Sequence, residues 1–345
     1  MARTPATLKD IAAVLGLSHA TVSRALANHP KVSPRTKTEV ARVAHELGYV
    51  PNGLARNIRN PHSPVVGLIV PDIQNDFYAS IAKIVADSAQ MRGLQLALSI
   101  TEDNPQRELN DLRSFLVARA AGVIITPTAN PERETLELLR DARAIQLVRQ
   151  HPQVHKNAVV IDDRAAIGMS TQHLIHYGHR RIGYVGTTTD FSCGVERLGG
   201  FQDAVRQAGL DDRMVAVGIP RSEFARYTVE RMMTRPDRPS ALVIGSSSLT
   251  LGTLKALRAL GLSCPKDVSV VGYGDPEWFD LVGEGLTTVS LPVQAMGGYV
   301  INMLLGELDL DKAWSATAAG AQPDPPLASR FAAALTIRAS TRPLN

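Results

Sequence analysis

The chain has 345 residues, 44% of them hydrophobic, and a formal net charge of +4, enough to bury a large core divided among two or three domains. No signal peptide precedes the first helix and no apolar run approaches the roughly 18 residues a membrane span needs, so a soluble, cytoplasmic protein is expected. Cys193 and Cys264 lack partners at metal-ligand spacing, and free thiols with no metal and no cofactor are the expectation.

The charge is uneven. Residues 1–60 hold nine Lys/Arg against three Asp/Glu, a balance of +6 that leaves −2 for the remainder. A small basic head on a slightly acidic body draws one end of a molecule towards phosphate.

In chain order, Thr7 and Asp10 have capping-box spacing and open a predicted helix over 8–15 that should bury Ile11, Val14 and Leu15. Gly16 permits a sharp left-handed reversal, and Ser18 caps a second helix from His19 to about Ala27. Small residues flank the turn. This is helix-turn-helix geometry, whose second helix presents its first residues to base edges in the major groove. Ser33-Pro34 starts a third helix with Val40, Val43, Ala44 and Leu47 on its apolar face, closed by Gly48. The stretch Pro51–Arg59 is long enough for only two helical turns, marginal in water unless something packs on it, so 51–64 is expected to be a hinge and linker.

From Val65 onward, Val/Ile-rich strands alternate with amphipathic helices in two successive series, the second beginning at Val159. That pattern predicts two lobes, each a parallel sheet covered by helices on both faces. Residues 309–330, rich in Ala and Pro, are expected to form a flexible insertion. Ligands of open parallel sheets bind beyond the carboxyl ends of the strands. Those positions hold Asp72, Phe77, Tyr78, Thr126, Arg149, Ser246, Ser247 and Asp275, and Arg197, placed in the first turn of its helix, reaches the same region. The set suits a small polar ligand held by hydrogen bonds. It contains no Ser/His/Asp, Cys/His, HExxH, P-loop or GxGxxG arrangement at a strand end, so no enzyme is predicted.

The segments TLKDIAAVLGLSHATVSRAL, VSPRTKTEVARVAHELGYVPN, VVGLIVPDIQNDFYASI, HLIHYGHRRIGYVG, RLGGF, DVSVVGYGDPEW and LTTVSLPVQAMG together resemble the LacI/GalR family of bacterial transcriptional repressors over nearly the whole chain. The resemblance implies an all-α three-helix headpiece (1–50), a hinge (51–64) and a two-lobed, periplasmic-binding-protein-like α/β domain (65–345). It also implies a homodimer whose paired headpieces sit on a pseudo-palindromic operator in double-stranded DNA. A small-molecule effector between the lobes then controls how the hinges meet that DNA. By the same resemblance His19 and Ala20 read bases, Arg24 faces the groove, and Thr7, Ser18, Thr21, Ser23 and Asn28 join the DNA contacts. Ile58 stands where the family carries a minor-groove wedge, Ala55 permits close approach, and Arg56 and Arg59 hold flanking phosphates.

The cleft departs from the family pattern. Ser246-Ser247 replaces the usual Asn-Asp, and Gly274-Asp275 replaces Asp-Asp, while Arg197 is kept and Arg149 faces it. Fewer acids beside two arginines predict a positive cleft and a sugar acid or sugar phosphate as effector. Trp278 is expected either to stack on that ligand or to pack as a lid. Two other classes share parts of this description: a solute-binding protein of sugar transport, which has no use for a basic headpiece, and a sugar-modifying enzyme on an α/β scaffold, which lacks its acid–base pair.

Overall fold

Strands in which nearly every residue is apolar have no solvent face to offer, and their near-complete burial here follows from helices packed on both sides. The computed structural model describes residues 6–26, 29–49, 63–154, 156–314 and 328–344, in two compact units, Met1–Pro61 and His62–Asn345.

The first unit contains α1 (Leu8–Leu15), α2 (His19–Leu26) and α3 (Pro34–Glu46) around Ile11, Val22, Ala25, Val32, Val40, Val43 and Ala44. Val14, expected inside, is 61% exposed. The core-facing side of α1 is set by Leu8, Ile11, Ala12 and Leu15, and at 3.6 residues per turn Val14 falls roughly 110° away from its centre. Leu47 is also exposed, because α3 ends one residue before it.

The second unit opens with β1 (Ser63–Val70), α4 (Asp76–Gln90), β2 (Gln95–Ile100), α5 (Pro105–Val117), β3 (Ala120–Ile125), α6 (Arg133–Asp141), β4 (Ala144–Leu147) and β5 (Ala158–Ile161). The chain then crosses to a second lobe. That lobe holds α7 (Asp163–His176), β6 (Ile182–Thr187), α8 (Ser192–Gln207), β7 (Val215–Gly218), α9 (Ser222–Met233), β8 (Ala241–Ile244), α10 (Ser247–Ala259), β9 (Ser269–Tyr273), a 3-10 turn (Glu277–Leu281) and β10 (Thr288–Ser290). It returns as α11 (Val293–Trp314) and β11 (Ala328–Phe331) on the first lobe, and crosses once more to β12 (Ala334–Thr336). The sheets run β11-β5-β4-β3-β1-β2 and β12-β10-β9-β8-β6-β7, parallel throughout except where β12 meets β10. Three short crossings therefore join the lobes, and Leu291 and Ala333 on two of them pack into the cores of both.

Several elements differ from the sequence expectation. Ser63 and Pro64, assigned to the linker, belong to β1, where a register shift between Ser63 and Val66 accommodates a residue without an N–H. α8 begins five residues early, at Ser192, so Arg197 stands in its second turn. α11 continues through Trp314 and β11 starts at Ala328, so both ends of the expected 309–330 insertion are regular structure, and 315–327 lie outside the described residues. The hinge positions 51–62 also lie outside them.

Two packing features hold the second lobe. His179 is buried between the hydroxyls of Ser240 (2.9 Å) and Ser269 (3.0 Å) and the carbonyl of Arg342 (3.2 Å), which ties the C-terminal segment to the sheet. α7 and α8 cross so closely at Gly200 that a Cβ there would collide with the carbonyl oxygen of Arg164. Gly200→Ala is accordingly expected to force the two helices apart and lower stability by about 1–3 kcal/mol, measured by urea unfolding.

Candidate functional site

The first unit places a polar face where a recognition helix would carry it. The Asp10 carboxylate accepts from the Thr7 N–H and hydroxyl, both at 2.7 Å, fixing the start of α1. Gly16 takes φ +61° at the reversal. Ser18 Oγ accepts from the Thr21 N–H at 3.1 Å and bonds the Thr21 hydroxyl at 2.8 Å, so both side chains are committed to starting α2. α2 buries Val22 and Ala25 and exposes His19, Ala20, Ser23 and Arg24 on one side. Asn28, Ala55, Arg56, Ile58 and Arg59 lie outside the described residues.

In the second unit a cavity of about 640 Å³ opens between the strand ends of the two lobes. Asp72, Phe77, Tyr78, Arg149, Arg197, Ser246 and Ser247 line it as expected. Three expected residues do not. Thr126 is fully buried and does not line the cavity. Asp275 is held by Arg338 (2.9 Å) and accepts from Ser290 Oγ (2.8 Å). Trp278 packs edge-on against Phe279, and its indole N–H reaches Asp76 on α4 at 3.5 Å, linking the lobes instead of facing the cavity. Ser246 is both wall and helix cap, accepting from the Leu249 N–H at 3.2 Å.

The expected positive cleft is not found, because each arginine has a carboxylate that sequence position did not suggest. Arg197, 6% exposed, donates through Nε to Asp163 Oδ1 at 2.7 Å and through Nη1 to the Gly245 carbonyl at 2.8 Å, with Tyr273 beneath its guanidinium at 4.1 Å. The Tyr273 hydroxyl donates to the same carboxylate. Arg149, also 6% exposed, pairs with Asp103 and donates to the Pro127 carbonyl at 3.2 Å, its guanidinium 3.5 Å from the centre of the Phe191 ring. Among the described lining residues, the four bases Arg149, Arg197, Arg221 and Lys255 are matched in number by the four acids Asp72, Glu102, Asp103 and Glu223. Asp103 lies in the turn after β2 and Asp163 at the start of α7, 46 and 34 residues from their partners. Periodicity marks neither, and only their place beyond strand ends hinted at them. Among the described residues no group of three or more His, Cys, Asp or Glu side chains is arranged to hold a metal, and no helix is long and apolar enough to cross a membrane.

Residues 7–52 match the family model of bacterial regulatory proteins of the lacI family, and residues 171–341 match a periplasmic binding protein-like domain. The chain is 29% identical over 307 residues to the transcriptional regulator GalR of Escherichia coli, covering 88% of this chain and 90% of that one. Among solved structures, a lac repressor dimer bound to operator and an anti-inducer superposes with TM-score 0.82 at 21% identity over 98% of this chain and all of the other. A regulator CelR–cellobiose complex superposes with TM-score 0.69 at 27% identity, over 97% and 99%. The chain belongs to the LacI family of bacterial transcriptional regulators. It is a DNA-binding regulator and not an enzyme.

In this LacI-family regulator the first-lobe arginine rests on a second buried carboxylate. Glu108, fully buried on α5, accepts from the Thr128 N–H (2.7 Å) and hydroxyl (3.1 Å) and so holds the loop whose Pro127 carbonyl receives Arg149. Burial pushes the Glu108 carboxyl from 4.5 up to about 7, against the pull of the Thr128 bonds. Between those values the folded protein holds a proton that the unfolded chain has released, so this group makes the fold less stable as pH rises from 4.5 to 7. Glu108→Gln keeps an acceptor for the Thr128 N–H and removes the titration. The variant is expected to be more stable than the parent at pH 8 by up to roughly 3 kcal/mol and to differ little at pH 4, as read from urea unfolding at the two pH values.

Proposed function

We propose that the protein is a repressor whose homodimer places two headpieces on a pseudo-palindromic operator and responds to a sugar-type effector bound between the lobes of each subunit. The observation that carries the DNA half is the one-sided exposure of α2, where His19, Ala20, Ser23 and Arg24 share a face opposite the buried Val22 and Ala25. His19 and Ala20 read base edges and Arg24 reaches into the groove, while Thr7, Ser18, Thr21, Ser23 and Asn28 contact or position phosphates. The segment around Ala55, Arg56, Ile58 and Arg59 enters the minor groove, with Ile58 as the wedge between base steps.

The effector reading is supported by a cavity of about 640 Å³ whose hydroxyl, guanidinium and carboxylate groups come from the strand ends of both lobes. It is further supported by the structural relative that was solved with cellobiose. A ligand that engages both walls favours one arrangement of the lobes over another by the difference in its affinity for the two. Such a regulator works in the cytoplasm, on the nucleoid when bound to its operator.

Gel shifts with the chain's own upstream DNA test the proposal. A salt-sensitive complex with a pseudo-palindrome, altered by a sugar, is the expected result, and failure to shift any such site at low salt, with or without sugars, would overturn it. His19→Ala should re-rank operator variants. Arg35→Ala, at an exposed site in the first turn of α3, should weaken all of them alike and reduce the slope of log affinity against log salt by about one. Equal behaviour of the two variants would refute the assignment of His19 as a base reader.

A further inference from the structure

The two cleft arginines are built alike, one on each lobe. Each guanidinium meets one carboxylate, one backbone carbonyl and one aromatic face: Asp103, Pro127 and Phe191 around Arg149, and Asp163, Gly245 and Tyr273 around Arg197. Both line the cavity. A guanidinium carries five N–H donors. Three of those on Arg149 and three on Arg197 are bonded within the protein. Each lobe thus keeps two donors for a ligand while presenting no net charge from its pair.

The backbone shows what it takes to make the first of these pairs. Glu102 and Asp103 have φ +52° and +58°, and Val148, just before Arg149, has φ +65°. The Arg149 N–H donates to the Leu147 carbonyl at 2.7 Å, so Val148 is the centre of a γ-turn of the strained hand, an unfavourable place for a β-branched residue. Positive φ at Asp103 and at Val148, the residue before Arg149, accompanies the approach of a carboxylate from the turn after β2 to a guanidinium at the end of β4. Strain held in place this way marks a site where geometry is constrained by use.

The pairs are almost dry, with side-chain exposures of 6% and 18% for Arg149 and Asp103 and 6% and 2% for Arg197 and Asp163. In such surroundings an anionic ligand would meet the carboxylate along with the guanidinium and would lose its hydration for little net attraction. A neutral ligand rich in oxygen acceptors takes the four spare donors without that cost. We propose that Asp103 and Asp163 are the charge-selecting residues of the cleft: they cancel the arginine of each lobe, so that the site accepts uncharged polyhydroxyl ligands and rejects their carboxylated or phosphorylated counterparts. The inference rests on the reading of this cleft as the effector site, and it replaces the sugar acid or sugar phosphate that residue counting at the strand ends favoured.

The test uses the full-length protein and the isosteric variants Asp103→Asn and Asp163→Asn, which leave the arginines in place without their countercharges. Thermal unfolding is followed in sodium sulfate and in sodium chloride at matched ionic strength, a probe that needs no knowledge of the effector. Calorimetric titration then compares glucose, galactose and cellobiose with gluconate, galactonate and glucose 6-phosphate. Sulfate stabilises folded proteins in general, so the variants are expected to show a larger sulfate-specific rise in Tm than the parent, and to move their preference at least about tenfold from neutral sugar towards its acid. If Asp163→Asn does not fold, Asp103→Asn, whose carboxylate is the more exposed of the two, decides alone. No extra sulfate response in a folded variant overturns the inference, as does a parent protein that binds the acids at least as tightly as the sugars. A sulfate response in the variants, with no sugar or acid bound by any form, would leave charge selection standing and reject the sugar-type effector.

Discussion

Burial of two guanidinium groups at the junction of two lobes is the constraint on which the effector-binding unit depends, since a cation removed from water needs a carboxylate and further acceptors close at hand. Arg149 obtains its carboxylate from a left-handed turn after β2, and Arg197 obtains its own from the first residue of α7, directly after the chain has crossed from one lobe to the other. Around these pairs the floor of the cleft is organised. Gly245 and Pro127 supply carbonyls at strand ends, Tyr273 and Phe191 supply ring faces, and Glu108 holds the loop that presents Pro127. Removing one carboxylate would leave a buried charge unmatched and would disturb several elements together.

The same groups connect the lobes. Phe191 and Cys193, at the start of α8, pack into the hydrophobic core of the first lobe, beneath the guanidinium of Arg149 in the case of Phe191. Next to them the Gln150 N–H donates to Ser192 Oγ at 2.8 Å, and Trp278 reaches Asp76 from the other wall. The cleft is therefore bordered by contacts that join its two sides, and three crossings of the chain limit how those sides can move. A ligand taking donors from Arg149 and Arg197 together would act on this arrangement directly. That is the physical requirement for a small molecule to bias a regulator's conformation.

Much of this was legible in order along the chain. Thr7 with Asp10, Gly16, Ser18 and Ser33-Pro34 are local signals whose partners lie within four residues, and all of them act at helix ends in the structure. Runs of Val and Ile marked central strands such as β1, β3 and β8 because burial on both faces favours apolar side chains. Less legible were elements whose residues face several ways. The start of α8 at Ser192 was obscured because Phe191 and Cys193 serve the other lobe's core, β7 is half exposed at a sheet edge, and Val14 missed the core of its unit by the angle at which α1 lies.

By itself the sequence determined that there is a basic three-helix head and a two-lobed α/β body with a polar site at the strand ends, because capping, turn chemistry and the alternation of strand and helix are local or periodic. Tertiary structure decided the charge of that site. Asp103 and Asp163 stand 46 and 34 residues from the arginines they neutralise, a separation that no motif spans. Counting acids at the strand ends therefore yielded a positive cleft, whereas folding brings a carboxylate from another turn or helix to each guanidinium and leaves hydrogen-bond donors without net charge.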